Sequence, residues 1–592
     1  MGAVTNVLSM ISGLVLFLFG MHVMGEALEK RAGNQLKGIL SKLTASKFKG
    51  LLLGIGVTAI IQSSSATTVM VVGFVNSGIM NLNQAISVIM GANVGTTVTS
   101  WFLSLTGISG DSLIIQMLKP SFFTPILALI GIILYLFIKD SKKNDVGLIL
   151  LGFSTLMFGM ETMSSAVKPL ANIPEFQQIL LLFSNPLLGV AAGAIITAII
   201  QSSSASVGIL QALSATGQMT VGSAIPIIMG QNIGTCVTAI LSSVGANKNA
   251  KRAAAVHLYF NILGTAVILT AFCVINAIFD LTFINLKANQ FSIAVIHTVF
   301  NLLCTAILYP FSEKLEKLAI ATVRESGNDG DVVVKELDDR FLATPTIAID
   351  RCRTVVENMA KTAFDTLNLS FGLFEKYDEK VIAKINRGED VVDKYEDLIG
   401  SYLVKLGDRH MSAEDSKEVT KYLHTIGDLE RISDHAVNLS RSINEMNDKK
   451  LKFSPKAQED LKVMFQAVQE ILGITYDSLV NNDVQKAALV EPLEQAIDTL
   501  KVDIKKGHIA RLQKDECTIE MGFILSDVIT NLERVSDHCS NIAGCIIELA
   551  HNNSLSVHEY LHAVKDGTDS SSSAFRENYE KYLEKYHINL QA

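Results

Sequence analysis

The sequence predicts an all-α, polytopic membrane protein with two inverted-topology repeats, followed by a cytoplasmic helical-bundle domain. Residues 51–118 contain no Lys or Arg and one acid, Asp111, and residues 179–247 contain no charged residue. A bilayer core penalises each central Lys, Arg or Asp by about 3 kcal/mol or more, so such tracts indicate membrane-spanning segments. From about residue 312 onward, charges recur every few positions and apolar residues follow helical spacing, which is typical of a soluble helical domain.

These patterns divide the 592 residues into four parts. The predicted parts are a membrane part (1–312), a linker (313–344), a soluble helical domain (345–565) and a C-terminal tail (566–592). The net charge of -8 and the lack of a basic stripe argue against a nucleic-acid partner. The first apolar run, Leu8–Leu28, is followed by basic residues, which is the opposite charge order to a cleaved signal peptide. We therefore expect it to be an uncleaved first span.

An internal repeat appears without gaps at an offset of 139 residues. The run Gln62–Ala66 (QSSSA) recurs as Gln201–Ala205. Further matched pairs are Gly20 and Gly159, Gly50 and Gly189, Gly54 and Gly193, Thr58 and Thr197, Gly91 and Gly230, Asn93 and Asn232, Gly95 and Gly234, Thr96 and Thr235, and Thr99 and Thr238. Small residues in membrane helices often serve close packing alone. Polar residues duplicated inside apolar tracts are costly there, and they favour a binding site.

The distribution of Lys and Arg predicts the orientation, because basic residues of short loops accumulate on the cytoplasmic side. Basic clusters follow the first span, occupy 139–143 and occupy 248–252, whereas 172–178 contains no basic residue. These positions fit one topology if Gly50–Ser77 is a re-entrant hairpin that does not cross the membrane. Each repeat then has three crossings, and this odd number inverts the second copy, whose hairpin is Gly189–Gly217. The predicted repeats cover about 8–138 and 147–277, with spans at 8–28, 84–105, 122–138, 147–167, 223–242 and 253–276 and an extra span at 290–310. The N-terminus is then outside and the C-terminal domain cytoplasmic.

The two Ser-rich hairpins suit an anion site. Inverted repeats with broken helices are typical of secondary transporters, whose half-helix N-termini direct partial positive charge at anionic substrates. Ser hydroxyls and free backbone N–H groups can donate to phosphate-like oxygens, while hydroxyl and carbonyl oxygens can bind a small hard cation such as sodium. Neither tract contains Arg or Lys. An anion would therefore need co-bound cations, which favours cation coupling.

The runs QSSSATT (Gln62–Thr68), GANVGTTVT (Gly91–Thr99), QSSSAS (Gln201–Ser206) and GQNIGTCVT (Gly230–Thr238) resemble the sodium-dependent phosphate cotransporter family of the type II class, over about residues 8–312. The resemblance implies sodium-coupled symport of inorganic phosphate across the cytoplasmic membrane. The residues it implies for phosphate and sodium are Gln62, Ser63, Ser64, Ser65, Thr67, Asn93, Thr96, Gln201, Ser202, Ser203, Ser204, Asn232 and Thr235. The second copy has Ser206-Val207-Gly208 where the first has Thr67-Thr68-Val69, which leaves the sodium stoichiometry open.

A shorter duplication lies in the last two spans. HLYFN (His257–Asn261) is followed by HTVFN (His297–Asn301). Polar His and Asn side chains facing the bundle interior either line a transport path or form hydrogen bonds between helices. The sequence leaves both interpretations open.

The soluble half contains its own duplication, at an offset of 103 residues. DLERISDHAVNLS (Asp428–Ser440) returns as NLERVSDHCSNIA (Asn531–Ala543). Two acids at i and i+4 share a helix face and repel each other unless a metal ion, a basic partner or neighbouring Arg and His side chains satisfy them. This half resembles PhoU-type phosphate-signalling domains over about 345–565. The resemblance implies divalent or ferric metal on Glu430, Asp434, Glu533 and Asp537, and a phosphate-signalling protein as partner.

The sequence also limits the alternatives. No Ser-His-Asp pattern, P-loop or HExxH motif is present, so we do not expect an enzyme. A channel, a phosphate or related oxyanion exporter and a membrane-bound phosphate sensor remain as competing functions. The expected partners are inorganic phosphate, sodium and membrane lipid, and the sequence leaves transport direction and oligomeric state open.

Overall fold

A computed structural model describes residues 2–40, 46–108, 112–117, 119–138, 140–173, 176–178, 183, 185–323, 337–409, 411–550 and 572–588. Within these residues the regular structure is helical, and no β-strand is present. The chain forms two compact units, Met1–Ile347 and Ala348–Ala592. The predicted all-α class is therefore confirmed.

The first unit contains α-helices joined by short turns and 3₁₀ segments. They are α1 (Gly2–Leu40), α2 (Lys47–Ile61), α3 (Ser64–Asn76), α4 (Leu82–Gly95), α5 (Thr97–Ser104), α6 (Leu113–Met117), α7 (Pro120–Phe137), α8 (Ser141–Val167), α9 (Pro186–Ile200), α10 (Ser203–Ser214), α11 (Val221–Ser242), α12 (Lys248–Phe279), α13 (Gln290–Leu308) and α14 (Ser312–Thr322).

Seven helical stretches among the described residues are long and apolar enough to cross a membrane. They are Thr5–Arg31, Leu82–Gly107, Pro120–Phe137, Lys142–Val167, Val221–Ser242, Lys248–Phe279 and Gln290–Thr322. Each coincides with one of the seven spans that the sequence predicts. By length and composition these helices agree with the predicted spans in number and position, and they indicate a multi-pass membrane protein.

Two pairs of short helices, α2 with α3 and α9 with α10, contain the QSSS motifs at their turns. The helices α2 and α9 end at equivalent residues, and each is followed by a Gln in the left-handed region, Gln62 at φ 60° and Gln201 at φ 59°. The next residue, Ser63 or Ser202, is extended and caps the following helix. A left-handed conformation is uncommon for a residue other than Gly, Asn or Asp, because its Cβ is crowded. The two copies of the repeat therefore share backbone angles as well as sequence at this turn.

Glycines allow each of these pairs to cross a long helix closely. A Cβ on Gly54 would lie 2.1 Å from the carbonyl oxygen of Val88, and one on Gly91 would lie 2.1 Å from that of Leu51. In the second copy, a Cβ on Gly193 would lie 2.1 Å from the carbonyl oxygen of Ile227. Backbones at this distance exclude any side chain, which is the packing that small residues permit between membrane helices. The helices α2 and α9 are thereby held against α4 and α11.

The segment 337–344, which lies in the predicted linker, packs within the first unit. Residues Asp339–Ala343 form a 3₁₀ turn. The side chain of Asp338 accepts a hydrogen bond from Asn76 Nδ2 at 2.6 Å, and Arg340 Nε donates to the carbonyl oxygen of Ser242 at 2.6 Å. The ring of Phe341 is fully buried, with its centroid 5.3 Å from that of Phe74. We call residues 337–344 the anchor segment, because they join the end of α3 to the end of α11.

The second unit is a bundle of long helices. They are α15 (Pro345–Gly372), α16 (Glu379–Gly407), α17 (Ala413–Asp448), α18 (Pro455–Asn481), α19 (Val484–Ala487), α20 (Val490–Gln513), α21 (Ile519–Ala550) and α22 (Ser572–Lys585). The two helices with the duplicated acidic motif, α17 and α21, pack against each other. Their contact is bridged by His538 Nδ1 to Asp428 Oδ1 and by His435 Nδ1 to Asn531 Oδ1, each at 2.8 Å.

Candidate functional site

The two QSSS motifs meet inside the first unit. The hydroxyl oxygens of Ser64 and Ser203 are 3.5 Å apart, and Ser65 Oγ donates to the carbonyl oxygen of Gln201 at 3.5 Å. Ser64 and Ser203 are both buried. Residues that lie 139 positions apart in the chain thus form one cluster, and the structure brings together the central residues of the predicted site.

Two helix N-termini converge on this cluster. The first intrahelical bond of α3 runs from Thr67 N to Ser63 O at 3.2 Å, and that of α10 runs from Ser206 N to Ser202 O at 3.1 Å. The cap hydroxyls of Ser63 and Ser202 accept from the third N–H of each helix. The N–H groups of the first two residues of each helix have no partner within the helix, and each N-terminus contributes about half a positive charge. This arrangement suits an anion.

A pair of hydroxyls lies behind each tip. Thr58 Oγ1 donates to Thr67 Oγ1 at 3.1 Å in the first copy, and Thr197 Oγ1 donates to Ser206 Oγ at 2.7 Å in the second. All four residues are buried. The site prediction included Thr67 but omitted Thr58, Thr197 and Ser206. The matching of Thr58 with Thr197 and of Thr67 with Ser206 at the repeat offset is the signal that identifies them.

The two Gln residues differ in their surroundings. Gln62 is buried, its Oε1 accepts from Thr99 Oγ1 at 2.9 Å, and its Nε2 donates to the carbonyl oxygen of Ala59. The side chain of Gln201 is exposed, and Thr238, the equivalent of Thr99, donates instead to Thr235 O in its own helix at 2.9 Å. The two halves of the cluster are therefore equivalent in backbone but unequal in side-chain contacts.

The other predicted site residues lie on the long helices that the hairpins cross. The hydroxyls of Thr96 and Thr235 donate to carbonyl oxygens one turn earlier, at 3.0 and 2.9 Å, which leaves their oxygen lone pairs as acceptors. Asn232 Nδ2 donates to Ile228 O in its own helix at 2.9 Å, whereas the amide of Asn93 contacts α12. All four predicted residues are buried.

The second unit contains an acidic group that includes one of the predicted metal ligands. Carboxylate oxygens of Glu389 and Asp393 on α16 and of Asp434 on α17 all lie within 4.8 Å of one another. Burial, and then the neighbouring carboxylates, raise the pKa of Glu389 and of Asp393. Burial and the charge of Asp434 also raise the pKa of Glu430. Three carboxylates at this spacing fit a hard divalent cation, whose charge would offset their repulsion.

The equivalent acids of the second copy have basic partners. Glu533 pairs with Lys501 at 2.9 Å, and Asp537 pairs with Arg534 at 3.1 Å. The structure therefore does not bring Glu430, Asp434, Glu533 and Asp537 into one group, and the metal prediction for these four acids stays a prediction. The sequence did not show that Lys501 on α20 reaches Glu533, because no repeat or spacing relates the two positions.

We expect the acidic group to make the metal-free second unit less stable as pH rises. A carboxyl whose folded pKa is raised contributes stability below its unfolded pKa and loses it as pH rises through the folded value, so the melting temperature of residues 345–592 should fall as pH rises above the ordinary carboxyl pKa of about 4. Manganese at one hundred times its Kd should raise it by about 5–10 °C at pH 7. Glu389→Gln with Asp393→Asn should remove both effects.

The matched control for this experiment is Glu533→Gln with Asp537→Asn, which changes acids that already have basic partners. This control should keep the response to manganese. It should lose only the part of the pH dependence that comes from Asp537, whose pKa is raised by burial and by Glu533. Equal melting curves for all three proteins, with and without manganese, would mean that the group is an ordinary solvated face.

Comparisons with known proteins agree with the division into two units. The family described as Na+/Pi-cotransporter matches residues 16–165 and 156–307, and the PhoU domain family matches residues 356–443 and 461–546. The "Putative inorganic phosphate export protein YjbB" of Salmonella typhimurium is 25% identical over 554 residues, covering 92% of this chain and 98% of that protein. The uncharacterized protein YqeW of Bacillus subtilis is 31% identical over 257 residues, which is 43% of this chain and 79% of YqeW.

The second unit has relatives that are separate proteins. A "Phosphate-specific transport system accessory protein PhoU homolog 1" of Thermotoga maritima is 22% identical over 219 residues, covering 37% of this chain and 93% of that protein. No solved structure matches the chain.

Proposed function

Because the chain belongs to the Na+/Pi-cotransporter family and carries a PhoU region in its C-terminal half, we propose that it moves inorganic phosphate across the membrane in symport with sodium. The observation that carries the proposal is the meeting of two capped helix N-termini at Ser64 and Ser203. The proposed site lies between the two hairpins. The family and the name of the relative YjbB both support phosphate as the transported substrate.

Phosphate recognition follows from the donors at the two tips. Hydroxyls of Ser64, Ser65 and Ser203 and the N–H groups at the start of α3 and α10 supply hydrogen bonds to phosphate oxygens, as helix N-termini do in other anion sites. Gln62 and Gln201 share the left-handed backbone conformation at the two turns. An exposed Gln201 can close over a bound ion by rotating its side chain.

Sodium coupling follows from the missing cationic side chains. The tracts around both tips contain no Lys or Arg, so a phosphate dianion that enters must be neutralised by dipoles and by co-bound cations. The buried oxygen pairs Thr58 with Thr67 and Thr197 with Ser206 offer ligands that small hard cations prefer. Each pair lies one turn behind a tip, where a cation would stabilise the anion.

Export is the second candidate function, and a specific observation favours it. The relatives that match nearly the full length of this chain are named as phosphate export proteins. A coupled carrier runs in either direction according to its gradients, so the same site would serve both functions. The experiment must therefore measure phosphate movement both ways.

The PhoU region is proposed to regulate transport and to bind a phosphate-signalling protein. In the proposed topology the N-terminus is outside, the second repeat is inverted and the PhoU region is cytoplasmic, as the basic loops predict. The acidic group of Glu389, Asp393 and Asp434 would hold a divalent or ferric metal there. No part of this region is needed to complete the cluster around Ser64 and Ser203, which lies within the first unit.

Transport by the purified full chain in liposomes tests the proposal. We expect an inward sodium gradient to drive labelled phosphate into vesicles at least about tenfold faster than an equal potassium gradient, because an uncharged site requires the cation. Preloaded vesicles with the reversed gradient measure export. Equal phosphate flux in sodium and in potassium would contradict sodium coupling. Absence of flux in either direction would favour a membrane-bound phosphate sensor.

A further inference from the structure

Three buried residues, His257, Asn93 and Asn261, form a closed ring of hydrogen bonds through their side chains and one backbone carbonyl. His257 Nε2 lies 3.2 Å from Asn93 Oδ1, and Asn93 Nδ2 donates to Asn261 Oδ1 at 3.1 Å. Asn261 Nδ2 in turn donates to the backbone carbonyl of His257 at 2.9 Å. His257 and Asn261 have no exposed surface, and Asn93 is 5% exposed. The ring therefore joins α12 to α4 at a residue of the predicted site.

The direction of each hydrogen bond in the ring follows from the backbone carbonyl, which can only accept. Asn261 therefore presents its NH₂ group to His257 O and its oxygen to Asn93. Asn93 must donate to that oxygen, so its own Oδ1 faces His257 and accepts from Nε2–H. The neutral imidazole then has an unprotonated Nδ1, and that atom is buried without a hydrogen-bond partner among the described residues. A single arrangement satisfies all three bonds.

The ring involves Asn93 and not its repeat equivalent, Asn232, among the described residues. In the second copy, Asn232 bonds within its own helix to Ile228 O. The Asn93 amide is thus fixed by another helix, while its equivalent is held locally.

We propose that His257 and Asn261 are positioning residues that fix the amide of Asn93, so that its oxygen keeps one lone pair for a coupling cation. This rests on the proposed function, in which Asn93 contributes to the sodium and phosphate site. An amide oxygen with two lone pairs can accept from His257 and still bind a cation, whereas a rotated amide presents N–H groups that repel one. Fixing the rotation therefore sets the sodium affinity of the first half of the site.

The duplicated motif of α13 supplies a matched control. His297 and Asn301 have the same spacing and are equally buried. Asn301 Nδ2 donates to His297 O at 2.8 Å, as in the ring, but Asn301 Oδ1 and His297 Nδ1 have no hydrogen-bond partner among the described residues. Substitutions here remove similar volume and polarity from an apolar bundle without releasing Asn93.

The test measures the sodium concentration for half-maximal phosphate transport by the full chain in liposomes. His257→Ala and Asn261→Ala should raise it at least about fivefold, with a smaller change in the rate at saturating sodium. His257→Gln should keep this sodium concentration within about twofold of wild type, because the Gln amide nitrogen reaches the position of Nε2. The shorter side chain of His257→Asn should leave it raised. His297→Ala and Asn301→Ala should stay within about twofold. In the Asn93→Ala background, His257→Ala should add no further increase.

Several outcomes overturn the inference. An unchanged sodium dependence in His257→Ala, an equal increase in His297→Ala, or a failure of His257→Gln to restore the affinity would each show that the ring only packs the helices. If His257→Ala does not fold, as judged by a monodisperse elution profile, the comparison of His257→Gln with His257→Asn decides the question. Wild-type transport without any sodium activation would overturn the proposed coupling and this inference with it.

Discussion

Ser64→Ala and Ser203→Ala should each lower sodium-dependent phosphate transport at least about tenfold at low sodium and low phosphate. Each hydroxyl lies at the meeting point of the two tips, 3.5 Å from the other. Loss of one buried hydrogen bond to a charged group costs about 1.5–3 kcal/mol, and 1.4 kcal/mol corresponds to a factor of about ten. Gln62→Ala and Gln201→Ala should have effects of the same order. Initial rates in liposomes measure the loss.

Ser104→Ala is the matched control for the hydroxyl substitutions. Ser104 is also buried, but its Oγ donates to Trp101 O in its own turn at 2.7 Å and lies outside both motifs. We expect this variant to transport within about twofold of wild type. Normal transport by Ser64→Ala and Ser203→Ala under limiting sodium and phosphate would remove the tips from the site.

Gly54→Ala and Gly193→Ala should strongly destabilise the first unit. The added methyl carbon would lie 2.1 Å from a carbonyl oxygen of the crossing helix in each case, Val88 O or Ile227 O. A backbone atom cannot rotate away as a side chain can, so the two helices must separate. Overpacking costs typically about 1–3 kcal/mol, and contact with backbone atoms that cannot move aside favours the upper end of that range. Thermal unfolding of the purified full chain in detergent should show a lower melting temperature and a lower yield of folded protein.

Gly56→Ala tests whether the effect is steric. Gly56 lies two residues from Gly54 in the same helix, and an added Cβ there would meet nothing within 4 Å. Ala favours a helix by about 1 kcal/mol relative to Gly, so this variant should be equal to wild type or more stable. If Gly54→Ala melts together with Gly56→Ala, the close crossing of α2 and α4 is wrong.

The sequence predicted two kinds of feature: the apolar composition that a membrane requires along a whole span, and the equivalence of residues that the duplication relates. Long apolar runs, two of them inside charge-free tracts, predicted the seven stretches that are apolar and long enough to cross a membrane, because a bilayer core penalises charge. The repeat offset placed Gln62 and Gln201 in equivalent positions, and the structure gives them the same left-handed backbone angles. The contact between Ser64 and Ser203 joins equivalent residues of the two copies, 139 positions apart.

The features that the sequence missed depend on which helices become neighbours. No spacing relates Asn93 to His257, 164 positions away, so the sequence left the HxxFN duplication open between a path and a helix contact. The structure shows a contact between helices for the first copy of that motif. The unequal environments of Gln62 and Gln201 were equally hidden, because Thr99 and Thr238 are identical in sequence and differ only in their hydrogen-bond partners.

The anchor segment also determines where the chain can be cut. A truncation after Thr322 and one after Thr344 both remove the PhoU region, yet they are different proteins. The longer one retains the buried Phe341 ring against Phe74 and the bond from Asn76 to Asp338, while the shorter one uncovers an apolar surface and leaves the Asn76 amide without its carboxylate. A truncated protein that contains only the first unit should therefore not end at α14. A C-terminus beyond Thr344 keeps the contacts of the anchor segment, which faces the cytosol in the proposed topology.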